Sequence, residues 1–305
     1  MAVNQTGGFI SFLGLVLVLQ LAEYVPSTTA AGQCVWYGVC KKASGKTYNC
    51  LYEGLPKPIA ENARPLLEKY CPDIAAGGVS CCDREQLDNL NANIGLAENL
   101  LARCPSCMNN FIKHVCGLTC SPNQHQFLHA ATVESGDNGT KYIKELDYHL
   151  SNDYMYGTFN SCSQVQVPST NQLALDLMCG PWGAAACTPE RWFSYMGDAS
   201  TPFVPFQINY IPGDGPKDGY TPFNPPTRAC NVALSPGSPA CSCLDCPLSC
   251  PAPPPRPAPP APFSIAGADG YAVVMAIVFL IFSTLFLSGI FCCNQDSTVG
   301  KTFKG

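Results

Sequence analysis

The sequence predicts a mixed α+β domain, stapled by disulfides and held outside the cytosol by one transmembrane helix. Three observations predict this. Eighteen of the 20 cysteines lie between Cys34 and Cys250, apolar runs occupy residues 9–22 and 271–293, and helical and alternating hydrophobic patterns fall between those runs. A hydrophobic content of 47% over 305 residues permits a sizeable core and argues against a disordered chain. The net charge of −5 comes with no Lys/Arg cluster able to follow a phosphate backbone, so nucleic acid is not an expected partner.

Residues 1–31 read as a signal peptide. The apolar run 9–22 is short for a bilayer span, and the small residues at 27–32 suit a signal peptidase. Its leading segment lacks Lys and Arg, which keeps an uncleaved anchor as the alternative; either one exports the domain behind it.

Residues 32–250 form one luminal domain. An even, dense cysteine set behind an export signal implies nine disulfides in an oxidising compartment, although spacing does not fix the pairing. The CxxC pairs Cys104/Cys107 and Cys243/Cys246 would suggest zinc or thiol exchange in the cytosol; here structural disulfides are the preferred reading. His125 and His129 stand four apart without a third ligand, so neither metal nor cofactor is expected.

Within this domain Asp83 and Gln86 read as an N-cap and its capping-box partner, opening a helix whose Leu87, Leu90, Ile94, Leu96, Leu100 and Leu101 recur near helical spacing. A second helix is expected over 105–115. A third starts at Thr188, with Pro189 in its first turn and Trp192, Phe193 and Met196 following. Residues 142–150 alternate and 203–211 are rich in aromatic and branched side chains, so both read as strands. Asn138-Gly139-Thr140 is a glycosylation sequon and places its loop at the surface.

Eight of the twelve residues 251–262 are proline, which gives a linker over 251–263 of roughly 37 Å at about 3.1 Å per residue. The 23 uncharged residues 271–293, in a segment bounded at 270–293, extend about 35 Å, enough for a ~30 Å hydrocarbon core. Asp269 precedes this helix and Lys301 and Lys304 follow it, leaving 294–305 as a short cytosolic tail. Cys292 and Cys293 are either palmitoylated or ordinary helix-end residues. No nucleophile elbow, phosphate loop, zinc helix or kinase signature occurs, so binding is expected rather than catalysis.

Cys34-Val35-Trp36-Tyr37-Gly38 with Cys40, Tyr48-Asn49-Cys50, Cys81-Cys82-Asp83 with Gln86-Leu87, and Cys104-Pro105-Ser106-Cys107 resemble the N-terminal luminal domain of the Niemann-Pick type C membrane cholesterol transporters. The likeness continues through Leu118-Thr119-Cys120-Ser121-Pro122, Lys144-Glu145-Leu146, Pro205-Phe206 and Cys241-Ser242-Cys243 to the proline linker and the apolar helix. It implies a helix-rich α+β fold, akin to folate and riboflavin receptors, around a pocket for one sterol with its 3β-hydroxyl inward. The disulfides it implies are Cys34–Cys81, Cys40–Cys50, Cys71–Cys116, Cys82–Cys120, Cys104–Cys241, Cys107–Cys162, Cys179–Cys187, Cys230–Cys246 and Cys243–Cys250. The family's hydroxyl-contacting amides fall on Asn49 and Gln86, and its pocket walls on Trp36, Leu87, Leu90, Leu177, Met178, Pro205, Phe206 and Ile208.

Those residue types suit a sterol, which offers one hydroxyl on a rigid hydrocarbon and needs apolar walls with one or two groups that donate and accept. The helical phase of Gln86, Leu87 and Leu90 places an amide and two aliphatic groups together. Implied with the pocket are cholesterol, oxysterols or plant sterols as ligand, a soluble luminal sterol carrier as partner near Leu177 and Met178, and a late endosomal or lysosomal membrane, with the gut epithelial surface as variant. Val39 departs from the family's Glu and cannot receive a hydrogen bond. Family transporters continue through many further transmembrane helices, so the chain is expected to be a piece of one or a short form that presents sterol without moving it. A vitamin receptor, an adhesion ectodomain and a thiol-exchange enzyme at Cys104/Cys107 are the alternatives.

Overall fold

The computed structural model describes residues 32–136, 138–201, 204–252, 254 and 258–299. The signal-peptide segment and the tail beyond 299 lie outside the described residues. The chain forms two units, Met1–Pro251 and Ala252–Gly305.

In chain order the first unit holds β1 (Trp36–Ala43), β2 (Lys46–Leu51), β3 (Lys57–Pro58), α1 (Arg64–Tyr70), α2 (Pro72–Ala76), β4 (Val79–Ser80), α3 (Arg84–Leu101), α4 (Pro105–Cys120), β5 (Leu128–Ser135), β6 (Lys141–Ser151), α5 (Asn152–Cys162), α6 (Leu175–Met178), α7 (Pro189–Gly197) and β7 (Gln207–Gly213). The class is α+β, as the sequence patterns predict.

The capping box exists as read. Asp83 Oδ1 accepts from Gln86 N at 2.9 Å while Gln86 Oε1 accepts from Asp83 N at 3.1 Å, satisfying two donors that a helix start leaves open. Thr188 likewise caps α7, its Oγ1 accepting from Arg191 N at 3.3 Å. Helix α4 runs five residues past the expected 115, because Cys116 and Cys120 fasten its last turn to Cys71 and Cys82 and only Ser121-Pro122 stops it. The strand expected at 203–211 begins instead at Gln207; Val204, Pro205 and Phe206 form a loop, and 202–203 lie outside the described residues. The β1–β2 hairpin and α5 add to the elements expected. The hairpin turns at Ser44-Gly45, both at positive φ, a dipeptide that is itself a turn signal.

Strand β6 is the axis of the five-stranded sheet. Antiparallel β5 covers one edge from Leu128↔Tyr148 to Ser135↔Lys141. The other edge is shared, with β2 meeting it at Cys50↔Tyr142 and β7 running parallel from Glu145↔Gln207 to Ser151↔Gly213. Residues on β6 that alternate inward, Leu146, Tyr148 and Leu150, are fully buried. The same buried core holds Tyr154 of α5, Trp192 and Phe193 of α7 and the stripe Leu87, Ile94 and Leu101 of α3.

All 18 cysteines from Cys34 to Cys250 are paired, in the nine combinations that the resemblance implies. Neither CxxC pair is joined internally, and Cys104 and Cys107 are wholly buried in separate bridges.

In the second unit β8 (Ser264–Ile265) and β9 (Ala268–Asp269) form a two-residue hairpin before α8 (Gly270–Val299). Asp269, a flanking charge in the sequence, is the N-cap: its Oδ1 accepts from Tyr271 N at 2.9 Å and Ala272 N at 3.0 Å. Helix α8 outruns the expected segment, but its membrane-length apolar stretch, Gly270–Cys292, matches it closely.

Candidate functional site

One face of α3, the β1–β2 hairpin, the second half of α4, and the segment from α7 into β7 enclose a cavity of about 350 Å³. Small-molecule sites run from about 300 to 1,000 Å³. From α3 the lining residues are Gln86, Asn89, Leu90, Ala92, Asn93, Leu96, Ala97 and Leu100. Gln86 and Leu100 are fourteen residues apart, so the wall is about 21 Å long at 1.5 Å per residue.

This face corrects the phase read from sequence. Leu87 does not line the cavity; it is 0% exposed and belongs to the Leu87, Ile94, Leu101 stripe packed on the core. At 100° per residue, the position after Gln86 points aside while Leu90, one turn on, returns to the cavity. Leu96 is 54% exposed yet apolar, which its place in the cavity wall accounts for. Leu177 is also outside the lining, 47% exposed at the surface, whereas its neighbour Met178 lines the cavity. Trp36, Asn49, Pro205, Phe206 and Ile208 line it with Gln86, Leu90 and Met178. Val39 faces Asn49 across the hairpin and is not a lining residue.

Gln86 gives the cavity its most constrained polar group. The side chain is 2% exposed, and Oε1 accepts from two backbone donors, Asp83 N and, at 2.7 Å, Gly38 N. Two N–H groups on one side-chain atom require that atom to be the oxygen, which fixes the amide orientation. Nε2 is then a buried donor with no partner among the described residues. Gly38 makes this possible: it lies in the irregular part of β1 at φ +79°, where a side chain is strained. Asn49, half-buried on β2, borders the same cavity.

The aromatic wall is held from outside. Trp36 Nε1 donates to Thr119 O at 3.1 Å, and the Trp36 ring meets Phe206 edge-on at 5.7 Å. Gly197 lets α7 approach β7, since a Cβ there would lie 2.2 Å from Ile208 O, and this brings Tyr195 and Met196 beside Ile208 and Tyr210. Among the described residues the lining contains no Asp, Glu or Arg, and its one charge, Lys46, donates to the carbonyl of Ala199.

His114 is one of several lining residues that the sequence reading omitted. It is 2% exposed, stacked on Tyr148 with centroids 5.1 Å apart, and its Nε2 lies 2.9 Å from Tyr210 Oη. Burial pulls its pKa down to about 3, so the imidazole is neutral. Nδ1 has no partner among the described residues. No motif marks His114; its place is legible only as one helical turn before Leu118 on the same face. The histidines flagged by spacing are engaged elsewhere, His125 with the Gln33 backbone and His129 with Tyr220 Oη at 2.8 Å.

Residues 31–270 match the family model of the Niemann-Pick C1 N terminus. The chain is 39% identical over 285 residues to the NPC intracellular cholesterol transporter 1 of Sus scrofa, covering 91% of this chain and 22% of that protein. It is 33% identical over 261 residues to the NPC1-like intracellular cholesterol transporter 1 of Homo sapiens, covering 80% and 19% respectively, and 31% identical over 286 residues to that of Mus musculus, covering 89% and 22%. The chain thus spans about a fifth of the length of these relatives. The chain belongs to the Niemann-Pick C1 N-terminal family.

Proposed function

We propose that the luminal head binds one sterol in this cavity, cholesterol or a related molecule, with its 3β-hydroxyl at the Gln86 amide and Asn49. The observation that carries this reading is that Gln86, whose buried Nε2 has no partner among the described residues, lines a cavity together with Trp36, Leu90, Val115, Phe206 and Ile208. An amide donates to a hydroxyl oxygen, and leaving such a donor unmet costs about 1–3 kcal/mol, so it orients a ligand that is otherwise hydrocarbon. At roughly 0.3 kcal/mol per atom, a ligand of about 28 heavy atoms gains about 8 kcal/mol, near micromolar affinity. The absence of carboxylate and arginine from the lining among the described residues favours a sterol over a polar vitamin.

In this role the head accepts sterol within intracellular cholesterol transport, in the late endosome or lysosome, or at the gut surface. Exposed Leu177 beside Met178 suits the contact with a soluble luminal carrier that hands the ligand over. The head is a binding module and not an enzyme. The relatives' names as cholesterol transporters support this assignment.

The test is equilibrium binding of labelled cholesterol to the full chain in detergent, beside Gln86→Ala and Asn49→Ala. Saturable binding that both substitutions weaken supports the site. No saturable binding by folded, fully bridged protein overturns it.

A further inference from the structure

The CxxC pair Cys243/Cys246, which the binding site leaves unused, sits where the head ends. Cys243 is joined to Cys250, and Cys246 to Cys230. Cys243 and Cys250 are both exposed, while the other sixteen bridged cysteines are buried or half-buried. Their bridge is also the most local of the nine, spanning 7 residues against 137 for Cys104–Cys241. A bridge stabilises a fold more the longer the loop it closes, and by the same linkage the fold holds a short-loop bridge closed least. Cys179–Cys187 and Cys40–Cys50 are nearly as short, but their cysteines are buried or half-buried.

The residues around this bridge divide at Cys246. Asp245 is 2% exposed and accepts from Arg103 Nε at 3.2 Å, Ser242 Oγ at 2.7 Å and Gln166 N at 3.0 Å, and Cys246 beside it is wholly buried. These contacts hold the chain to the head up to residue 246 whether or not Cys243 and Cys250 are joined. Beyond them Pro247, Leu248, Ser249 and Cys250 form hydrogen bonds only within 243–250 among the described residues, and Leu248 is 71% exposed. The Cys243–Cys250 bridge is the last covalent clamp before the proline linker.

We propose that Cys243–Cys250 is a thiol-exchange site, opened by a low-molecular-weight thiol such as glutathione or cysteine while the other eight bridges stay closed, and that opening it lengthens the tether of the head. The reductant's thiolate attacks the exposed sulfur of one cysteine, forming a mixed disulfide and displacing the other as a thiolate that takes up a proton. A second reductant thiolate attacks the reductant's sulfur in the mixed disulfide and releases the first cysteine, which is protonated in turn. Two electrons and two protons pass to the protein, and two reductant thiols leave as one disulfide. Access governs the first attack, and exposed bridges are the ones that exchange. The last clamp then moves from residue 250 to residue 246, adding four residues, about 13 Å at about 3.3 Å each, to a linker of roughly 37 Å. Buried Cys246 is not reached, so the CxxC pair does not act as a dithiol oxidoreductase. The site is independent of what the cavity binds.

The experiment uses the full chain in detergent with its free thiols blocked by N-ethylmaleimide. Reduced glutathione is raised in steps, new thiols are capped with iodoacetamide, and the peptides are mapped by mass. Cys243 and Cys250 are expected to be capped together at about a tenth of the glutathione concentration that opens any other bridge, with near-ultraviolet circular dichroism unchanged. Another pair opening first or at the same concentration, or no opening until the head unfolds, overturns the site. In nanodiscs containing dansyl-labelled lipid, energy transfer from Trp36, Trp182 and Trp192, all in the head, should fall as this bridge opens. Constant transfer overturns the lengthening. The double variant Cys243→Ser with Cys250→Ser should show the lower transfer from the start and no response to glutathione at that concentration; a response equal to that of the wild type overturns the assignment to this bridge.

Discussion

Replacing Gln86 and Asn49 separately by alanine should split stability from binding. Gln86 Oε1 is the acceptor for the buried Gly38 N–H at 2.7 Å and for the partly buried Asp83 N–H at 3.1 Å. Truncation leaves both donors open. A buried orphan costs about 1–3 kcal/mol and loss of a helix cap about 1 kcal/mol, so Gln86→Ala should lose about 2–4 kcal/mol. At about 2–4 °C per kcal/mol for a domain of this size, the melting temperature falls by roughly 5–15 °C. Asn49 has no side-chain hydrogen bond among the described residues, and its half-buried position makes Asn49→Ala worth less than about 1 kcal/mol. The assay is thermal unfolding of the full chain without reductant, followed by near-ultraviolet circular dichroism. Equal losses in the two variants, or none in Gln86→Ala, would refute the assignment of the Gln86 oxygen to the backbone and with it the direction of Nε2.

The same geometry sets three further outcomes. His114, pulled down to about 3, refuses a proton that the unfolded chain takes up near 6.5, so its contribution is complete above about pH 6.5 and lost as pH falls; stability should drop by about 2 kcal/mol from pH 6.5 to pH 5, and His114→Leu should flatten that part of a denaturant-unfolding profile. Removing the Cys104–Cys241 bridge, which spans 137 residues, should cost about 5 kcal/mol by loop entropy, against about 2 kcal/mol for Cys243–Cys250, which spans 7; comparable denaturation midpoints for the two double-alanine variants would contradict this. Asn138 is exposed between β5 and β6, so the full chain expressed in animal cells should lose mass with a glycosidase, and Asn138→Gln should abolish that loss.

The local signals were readable because each depends on near neighbours. The Asp83/Gln86 box, Thr188-Pro189 at the start of α7, the alternation along β6 and the uncharged run of α8 are properties of contiguous residues, and contiguous spacing is what the sequence displays. The cysteine count, behind a segment read as an export signal, predicted the bridged state, while the partners came from likeness to a family and not from spacing. Periodicity also showed that α3 has an apolar side, but α3 has two, and only packing decided which looks inward. Leu87, Ile94 and Leu101 meet the core, while Leu90, Leu96 and Leu100 meet empty space that no sequence pattern encodes. The same holds for the site's hydrogen bonds. Gln86 finds Gly38 across 48 residues and His114 finds Tyr210 across 96, so the direction of the amide and the His114–Tyr210 contact exist only once α3, β1, α4 and β7 are brought together. Sequence alone determined the α+β class, its most strongly patterned elements and the membrane-length apolar helix; tertiary structure decided the cavity and its polar points, because both are made between elements rather than within them.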